Sequence, residues 1–204
     1  MHKADAGKMG WLSWLAGVSA ALTAAVWVLT TPLPRVVGLS ARYDLTLVVP
    51  AALILLTLAF RLRGGWGQSA ALGLTLVLFC LPLAGLWASG ASESYTVGGL
   101  LPYSDAQVYY RDALRVTEGD LLSSFSARRP LFPAFLAGAL ALTGRNLQAA
   151  LALTALVMAV SCWLAAREIA RTHGSLAGAV VLVGLFLFSR RFAVTTMTES
   201  LGLA

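Results

Sequence analysis

Residues 103–133 read YSDAQVYYRDALRVTEGDLLSSFSARRPLFP, and charge, aromatic rings and helix punctuation concentrate there in an otherwise apolar chain. Ser104 followed three residues later by Gln107 is a capping-box pattern, in which hydroxyl and amide satisfy backbone N–H groups at a helix start. Asp105 then falls in the first turn and Gly119 supplies a stop, so a helix over about 105–118 is predicted. At 3.6 residues per turn, Asp105, Tyr109 and Asp112 share one face, while Ala106, Tyr110 and Ala113 line the adjacent apolar side. Such a helix is amphipathic and lies along an interface.

The surrounding chain supplies that interface. Of its 204 residues, 58% are hydrophobic and only 12% charged, and the mean hydropathy of +0.78 belongs with integral membrane proteins. A formal charge of +6 invites a nucleic-acid reading, but the basic residues are scattered at the ends of apolar runs and form no stripe. Nucleic-acid binding is set aside. Cys80 and Cys162 fall inside apolar runs without a motif partner, which makes them small core residues and supports neither a disulfide framework nor a metal site.

Taken in order, Gly10–Thr30 is an apolar run of spanning length after Lys3 and Lys8. It is too long for a signal h-region, and TTPLPR offers no cleavage site, so it reads as an uncleaved anchor. Gly17, Ala21 and Ala25 form a small-residue packing stripe along it. A connection through Pro32 and Pro34 leads to a second, slightly short span over Leu45–Phe60, and Gln68–Ala88 forms a third. Gly90–Leu101 is loop. Leu131–Leu142 is apolar but only about a dozen residues, short of the roughly 20 needed to cross, and reads as an interfacial or re-entrant helix with Pro130 at its first turn. Leu147–Ala166 is a full span and Leu176–Ser189 a shorter one. Phe192–Ala204 opens a run that the sequence does not finish, as if the chain were the amino-terminal part of a longer protein.

The expected fold is therefore an all-α polytopic membrane protein. Three amino-terminal spans occupy 1–88, an outer loop with interfacial helices 89–146, and further spans 147–204. With the amino terminus inside, Lys3, Lys8, Arg61, Arg63, Arg167, Arg171 and His173 all fall on the inner side, as the positive-inside rule asks. The segment from Ser89 to Asn146 is then outside.

Asp105 is the leading chemical candidate, because a carboxylate at a helix amino terminus is held ionised by the macrodipole and by backbone N–H groups, and a general base must be ionised. Acids also occur in first turns merely because they stabilise helices there. Tyr109 and Tyr110 are able to stack on a sugar ring, although aromatic rings at a membrane surface are commonly belt residues. Arg128 and Arg129, and again Arg190 and Arg191, stand on the outer side and call for an anion, which a phosphate on a lipid carrier or an ordinary phospholipid head group supplies. Glu199 is an ionisable group near the start of a membrane segment and is a functional candidate for that reason.

The succession SDAQVYYRDAL (104–114), RRPLFPAFLAGALALTGRN (128–146), AAREIARTHG (165–174) and SRRFAVTTMTESL (189–201) resembles the membrane glycosyltransferases of the GT-C fold, notably the protein mannosyltransferase and aminoarabinose transferase type. The resemblance covers about half the chain. It departs from the family in placing three spans, not one, before the loop, in having Leu131 where an RPPLYP-like run has its second proline, and in having Ala106 after Asp105 where a second acid is common. It implies a GT-C-like helix bundle in the plasma membrane, the inner membrane of a bacterium, with the amino terminus cytoplasmic. It further implies sugar transfer from a polyprenyl-phosphate donor to a glycan, lipid or protein acceptor. Asp105 matches the general base and Glu199 the second outer acid; Arg128 and Arg129 fall beside the RPPLYP-like run and Arg190 or Arg191 matches the basic residue before the second acid, which makes them candidates for the donor phosphate, with Tyr109 as a further substrate-binding candidate. No cofactor is implied; a divalent ion on the loop acids is left open. The alternatives are a transporter or flippase, and a non-catalytic scaffold subunit.

Overall fold

The computed structural model describes residues 3–31, 35–44, 46–62, 64–193 and 195–200. The Pro32–Pro34 connection, Leu45, Arg63, the side chains of Lys3 and Lys8, and 201–204 of the final run lie outside the described residues. Eight α-helices carry the described fold: α1 Lys3–Thr30, α2 Arg35–Tyr43, α3 Val48–Arg61, α4 Gly65–Ser89, α5 Asp105–Thr117, α6 Leu131–Leu142, α7 Leu147–His173 and α8 Ser175–Ser189. The predicted loop after α4 contains a small antiparallel hairpin, Thr96–Val97 with Leu101–Pro102.

The chain is all-α but for that hairpin, with two helices long and apolar enough to cross a membrane, α4 and α7. Val36–Tyr43 of α2 and Val48–Arg61 of α3 are long and apolar enough only when taken together, and they are bent by 93° at the break between them, the shape of a broken span or a re-entrant loop. Five crossings were expected from the apolar runs. α1 runs 28 residues, Lys3–Thr30, with its apolar part described from Trp14; α8, at 15 residues, reaches about 22 Å against a hydrocarbon core of about 30 Å.

The central element is α4, packed against α1, α2, α3 and α7. It is apolar around its whole circumference, as suits a helix enclosed by others. Its buried Thr75 is satisfied within the helix, Oγ1 donating to the Ala71 carbonyl at 2.7 Å, whereas the buried Ser69 Oγ has no hydrogen-bond partner among the described residues. Small residues let the neighbours close in. A Cβ on Gly17 would lie 2.4 Å from Ser69, and one on Gly73 would lie 3.3 Å from Ala21; α1 and α4 therefore run parallel along the small-residue stripe read from the sequence. At Gly38 and Gly85 the backbones of α2 and α4 touch, a Cβ on Gly85 meeting Gly38 C at 2.5 Å and Leu39 N at 2.7 Å. We expect Gly85→Ala to destabilise the chain by about 1–3 kcal/mol, since only backbone is there to yield. Gly184, which has nothing within 4 Å, is the neutral control, and thermal melting in detergent compares the two.

The helix ends segregate. α3 ends beside the start of α4, where a Cβ on Gly67 would meet the Leu62 carbonyl at 2.3 Å, and α7 begins beside the end of α4, Leu147 and Leu151 sharing a cluster with Leu83 and Leu86. α8 folds back on α7, Gly178 facing Ala170. Arg61, Arg171 and His173 thus gather at one end of the bundle, and α5, α6 and the hairpin at the other.

α2 was not anticipated. It is a nine-residue amphipathic helix that follows a proline-rich connection, too short for periodicity to announce it. It ends in an Asx turn, Asp44 Oδ1 accepting from Thr46 N at 2.9 Å and from Thr46 Oγ1 at 2.8 Å, which sends the chain into α3.

Candidate functional site

At the second end of the bundle, α5 begins at Asp105 and stops with Thr117, and Gly119 takes φ +90° after it, as the sequence predicted. The capping box does not form. Ser104 has φ 56° and ψ −132° and makes no side-chain capping bond; the bond made there is backbone, Gln107 N to the Ser104 carbonyl at 3.0 Å. The helix faces also differ from the expectation. Ala106, Tyr109, Asp112 and Ala113 are buried, because α5 is not lying on a flat surface but is wedged between α6 and the terminal segment, with Thr196 Oγ1 donating to the Ala106 carbonyl at 2.6 Å. Tyr110 is partly buried between two apolar clusters. Asp112 accepts a hydrogen bond from Ser123 and lies 3.8 Å from Arg115, which ties the loop after α5 back to its helix. Asp105 is left alone on the exposed side.

Five of the sequence-chosen residues converge. Asp105, Tyr109, Arg128, Arg129 and Glu199 line one cleft of about 360 Å³, closed by Tyr95, Phe125 and Met197. Three devices position them. The first turn of α5 presents Asp105, whose carboxylate makes no hydrogen bond or ion pair among the described residues. The 3-10 turn Ser126–Arg128 delivers the arginine pair just before α6, a helix with the predicted bounds. The 3-10 turn Thr198–Ser200 carries Glu199. Arg129 joins the last two: its Nη1 donates to Thr198 Oγ1 at 3.1 Å and lies 3.7 Å from Glu199 Oε1. Tyr109 is only 4% exposed, packed at 5.3 Å from Phe125 and edge-on at 6.1 Å to Phe132. It is a wall of the cleft, fixed by aromatic packing, and not a free stacking platform.

Arg190 and Arg191 lie elsewhere. They line a second cavity of about 480 Å³ with Arg42, Tyr43 and Glu93, and only Tyr95 borders both spaces. Arg42, 2% exposed, organises it. Its Nε donates to Glu93 Oε1 at 2.6 Å and its Nη2 to the other carboxylate oxygen, a bidentate fork of the kind guanidinium favours. Its Nη1 donates to the Arg190 carbonyl at 2.7 Å and its Nη2 also to the Arg191 carbonyl at 3.2 Å. Tyr43 donates to Glu93 as well. Arg190 Nη1 donates to the Ala41 carbonyl at 3.3 Å, and burial first, then the charges of Arg191 and Arg42, push its guanidinium below the ordinary arginine value. Sequence reading missed Arg42 and Tyr95 and gave Glu93 no role. The available signal was Gly38 and Ala41 next to an arginine, small residues that mark a buried face.

Two carboxylates here have shifted proton affinities. Burial raises that of Glu93, but hydrogen bonds from Arg42 and Tyr43 and the charges of Arg42 and Arg191 outweigh it and hold the group below its usual 4.5. Burial likewise raises Asp112, and the Ser123 bonds and Arg115 bring it below 3.8. A carboxylate depressed on folding adds stability above its unfolded pKa and loses it as pH falls through the folded value. Melting temperature should therefore hold above pH 4.5 and fall below it, with a further fall below 3.8. Glu93→Gln and Asp112→Asn should each flatten that acid limb in a pH series of melts.

Among the described residues no three His, Cys, Asp or Glu side chains gather into a set able to hold a metal ion. The cleft can accept a proton at Asp105, present cationic donors beside it and enclose a ring against Tyr95, Tyr109 and Phe125. Comparison with known proteins finds no matching family model, curated protein or solved structure.

Proposed function

We propose that the chain is a glycosyltransferase that moves a hexosyl or pentosyl group from a polyprenyl-phosphate donor to an acceptor at the outer face of the plasma membrane, the inner membrane of a bacterium. The observation that carries the reading is the cleft: Asp105, Tyr109, Arg128, Arg129 and Glu199 come from separate segments and meet in one space, and all but Tyr109 are residues that the resemblance singles out. The segregation of Arg61, Arg171 and His173 to the opposite end of the bundle supports an arrangement in which the cleft faces outward and the amino terminus inward.

In this reading the acceptor hydroxyl gives its proton to Asp105 as its oxygen attacks the anomeric carbon. The bond from that carbon to the phosphate oxygen breaks, with inversion, and the electron pair leaves on the lipid phosphate. Asp105 suits the role because its carboxylate has no competing partner and stands at the positive end of α5. Glu199 holds Arg129 in place across the cleft. Arg190 and Arg191, reached past Tyr95, stabilise the departing phosphate.

The test is to incubate membranes carrying the chain with radiolabelled polyprenyl-phosphate sugars and to follow label leaving the lipid. Release above empty membranes is expected. No release from well-inserted protein, with any of the common hexosyl or pentosyl donors, would overturn the reading and favour a transporter or scaffold, for which the 93° break between α2 and α3 is the relevant feature.

A further inference from the structure

Three helix ends meet at the end of the bundle that carries the hairpin, and they leave a crevice apart from both cavities described above. α1 ends at Thr30, α4 ends at Ser89, and α7 starts after its cap Asn146; between them lies a space of about 320 Å³. Its lining is mostly apolar: Val26 and Leu29 from α1, Ala149 and Ala152 from α7, and Trp87 from α4. Leu29, Trp87 and Ala152 pack on one leucine cluster, so the three walls belong to a single packed unit. The polar part, Thr30, Asn146 and Gln148, is uncharged, and among the described residues no acid or base lines the space. Thr30 Oγ1 donates to the Val26 carbonyl at 2.9 Å and Asn146 Oδ1 accepts from Ala149 N at 3.1 Å, so these two are engaged by their own helices. Gln148 is exposed, and its carboxamide makes no hydrogen bond among the described residues. Trp87 is partly buried, and its Nε1 is buried without a hydrogen-bond partner among the described residues. A buried donor left unpaired is costly, and the closer it lies to hydrocarbon the less water relieves it.

We propose that this crevice binds the glycerol-ester region of a membrane lipid, with Trp87 Nε1 donating to an ester carbonyl and an acyl chain lying on Val26, Leu29, Ala149 and Ala152. Its place in the fold selects that occupant first. α4 and α7 are the two helices of spanning length, so their ends stand where a bilayer passes from hydrocarbon to head groups, and an indole is at home at that level. The missing partner is an acceptor, which an ester carbonyl is and a hydrocarbon chain is not. An uncharged lining suits a neutral group and sets the crevice apart from the arginine-lined cavity. A partner helix fits less well, because its backbone carbonyls are already bonded within the helix. Trp87, Gln148 and the α1 wall lie outside the stretches that resemble the glycosyltransferases, and the proposal does not rest on the transfer reading.

The test is lipid binding to the full chain in neutral detergent, read by native mass spectrometry, with diacylglycerol and its dialkyl ether analogue as probes. Neither carries a phosphate, so the arginine-lined cavity does not contribute. The ester should bind about fivefold more tightly than the ether, the preference that one hydrogen bond supplies. Trp87→Phe keeps an aromatic ring without the N–H; it should weaken the ester to the level of the ether and leave the ether unchanged. Ala149→Leu fills the crevice and should weaken both probes about tenfold. Ala165→Leu, at an exposed position further along α7, should change them less than about twofold. Equal binding of ester and ether by the wild type, an ester preference that survives in Trp87→Phe, or equal losses in Ala149→Leu and Ala165→Leu would overturn the proposal. So would a dimer that Ala149→Leu dissociates, which would give the crevice to a second copy of the chain. Far-UV circular dichroism and elution volume check that each variant is folded, and if Trp87→Phe is not, the wild-type preference and the two alanine variants decide.

Discussion

Asp105→Asn is expected to abolish release of sugar from the lipid donor while leaving membrane insertion and expression unchanged. The substitution keeps the size and the hydrogen-bonding shape of the side chain but removes the lone pair that accepts the acceptor's proton. General-base catalysis contributes about 10²–10⁴-fold, and label release should fall by that factor. The structure makes the variant a clean one. Asp105 makes no hydrogen bond or ion pair among the described residues, and the residues that hold α5 in place are its neighbours Ala106, Tyr109, Asp112 and Ala113. The only structural cost is the loss of a negative charge from the first turn, about 0.3–1 kcal/mol at an exposed position. Transfer by Asp105→Asn at the wild-type rate would reduce Asp105 to a helix-dipole residue and leave Glu199, the other acid of the cleft, as the remaining base. Asp112 is excluded from that role: it is buried and bound to Ser123.

The second large effect is on stability, and it is expected at Arg42. Replacing it with Ala removes the fork to Glu93 and the bonds to the carbonyls of Arg190 and Arg191, which leaves a partly buried carboxylate without its cation. Breaking such a pair costs about 3–5 kcal/mol. The lower figure applies, because the Glu93 side chain is 22% exposed and water can reach it. For a chain of this size a loss of about 3 kcal/mol lowers the melting temperature by roughly 6–12 °C. Arg42→Lys should recover only part of this, since an ammonium keeps the charge but cannot reproduce the planar fork or reach both carbonyls. A melt within a degree or two of wild type for Arg42→Ala would show that the clamp is not what joins α2, the hairpin loop and the end of α8. The two predictions are independent in kind, one removing chemistry from an intact frame and the other loosening the frame.

Much of the helical layout was legible because it rests on local physics. α6 begins at Leu131 and ends at Leu142, the bounds read from Pro130 and the apolar run, since a proline at the first turn and the end of hydropathy act on the residues that carry them. The ends of α5 followed from Gly119 for the same reason. The length of α8, Ser175–Ser189, also followed from the short apolar run over Leu176–Ser189, but the existence of α2 did not. An apolar run shows that a segment belongs in the bundle, but where the helix breaks depends on what packs against it. The capping box at Ser104 failed on a backbone torsion that no side-chain pattern encodes. The faces of α5 were misjudged because the sequence reading supposed a single surface, while the folded helix has neighbours on two sides. Tyr109 shows the consequence: its spacing put it with Asp105 on the exposed face, and packing against Phe125 and Phe132 made it a wall.

By itself, the sequence determined that this is a helical, membrane-type chain, where charge and aromatic rings concentrate in it, and which acids and arginines to consider. Those properties follow from composition and from hydrogen bonds that close within a few residues. Only the tertiary structure decided how the candidates are divided. It brought Asp105 and Glu199 into one cleft, sent Arg190 and Arg191 to another, and paired Arg42 with Glu93 across 51 residues of chain. Partners so far apart meet only because α2 crosses α4 where Gly38 and Gly85 allow backbone contact. That crossing is fixed by close packing between helices, which no local pattern records.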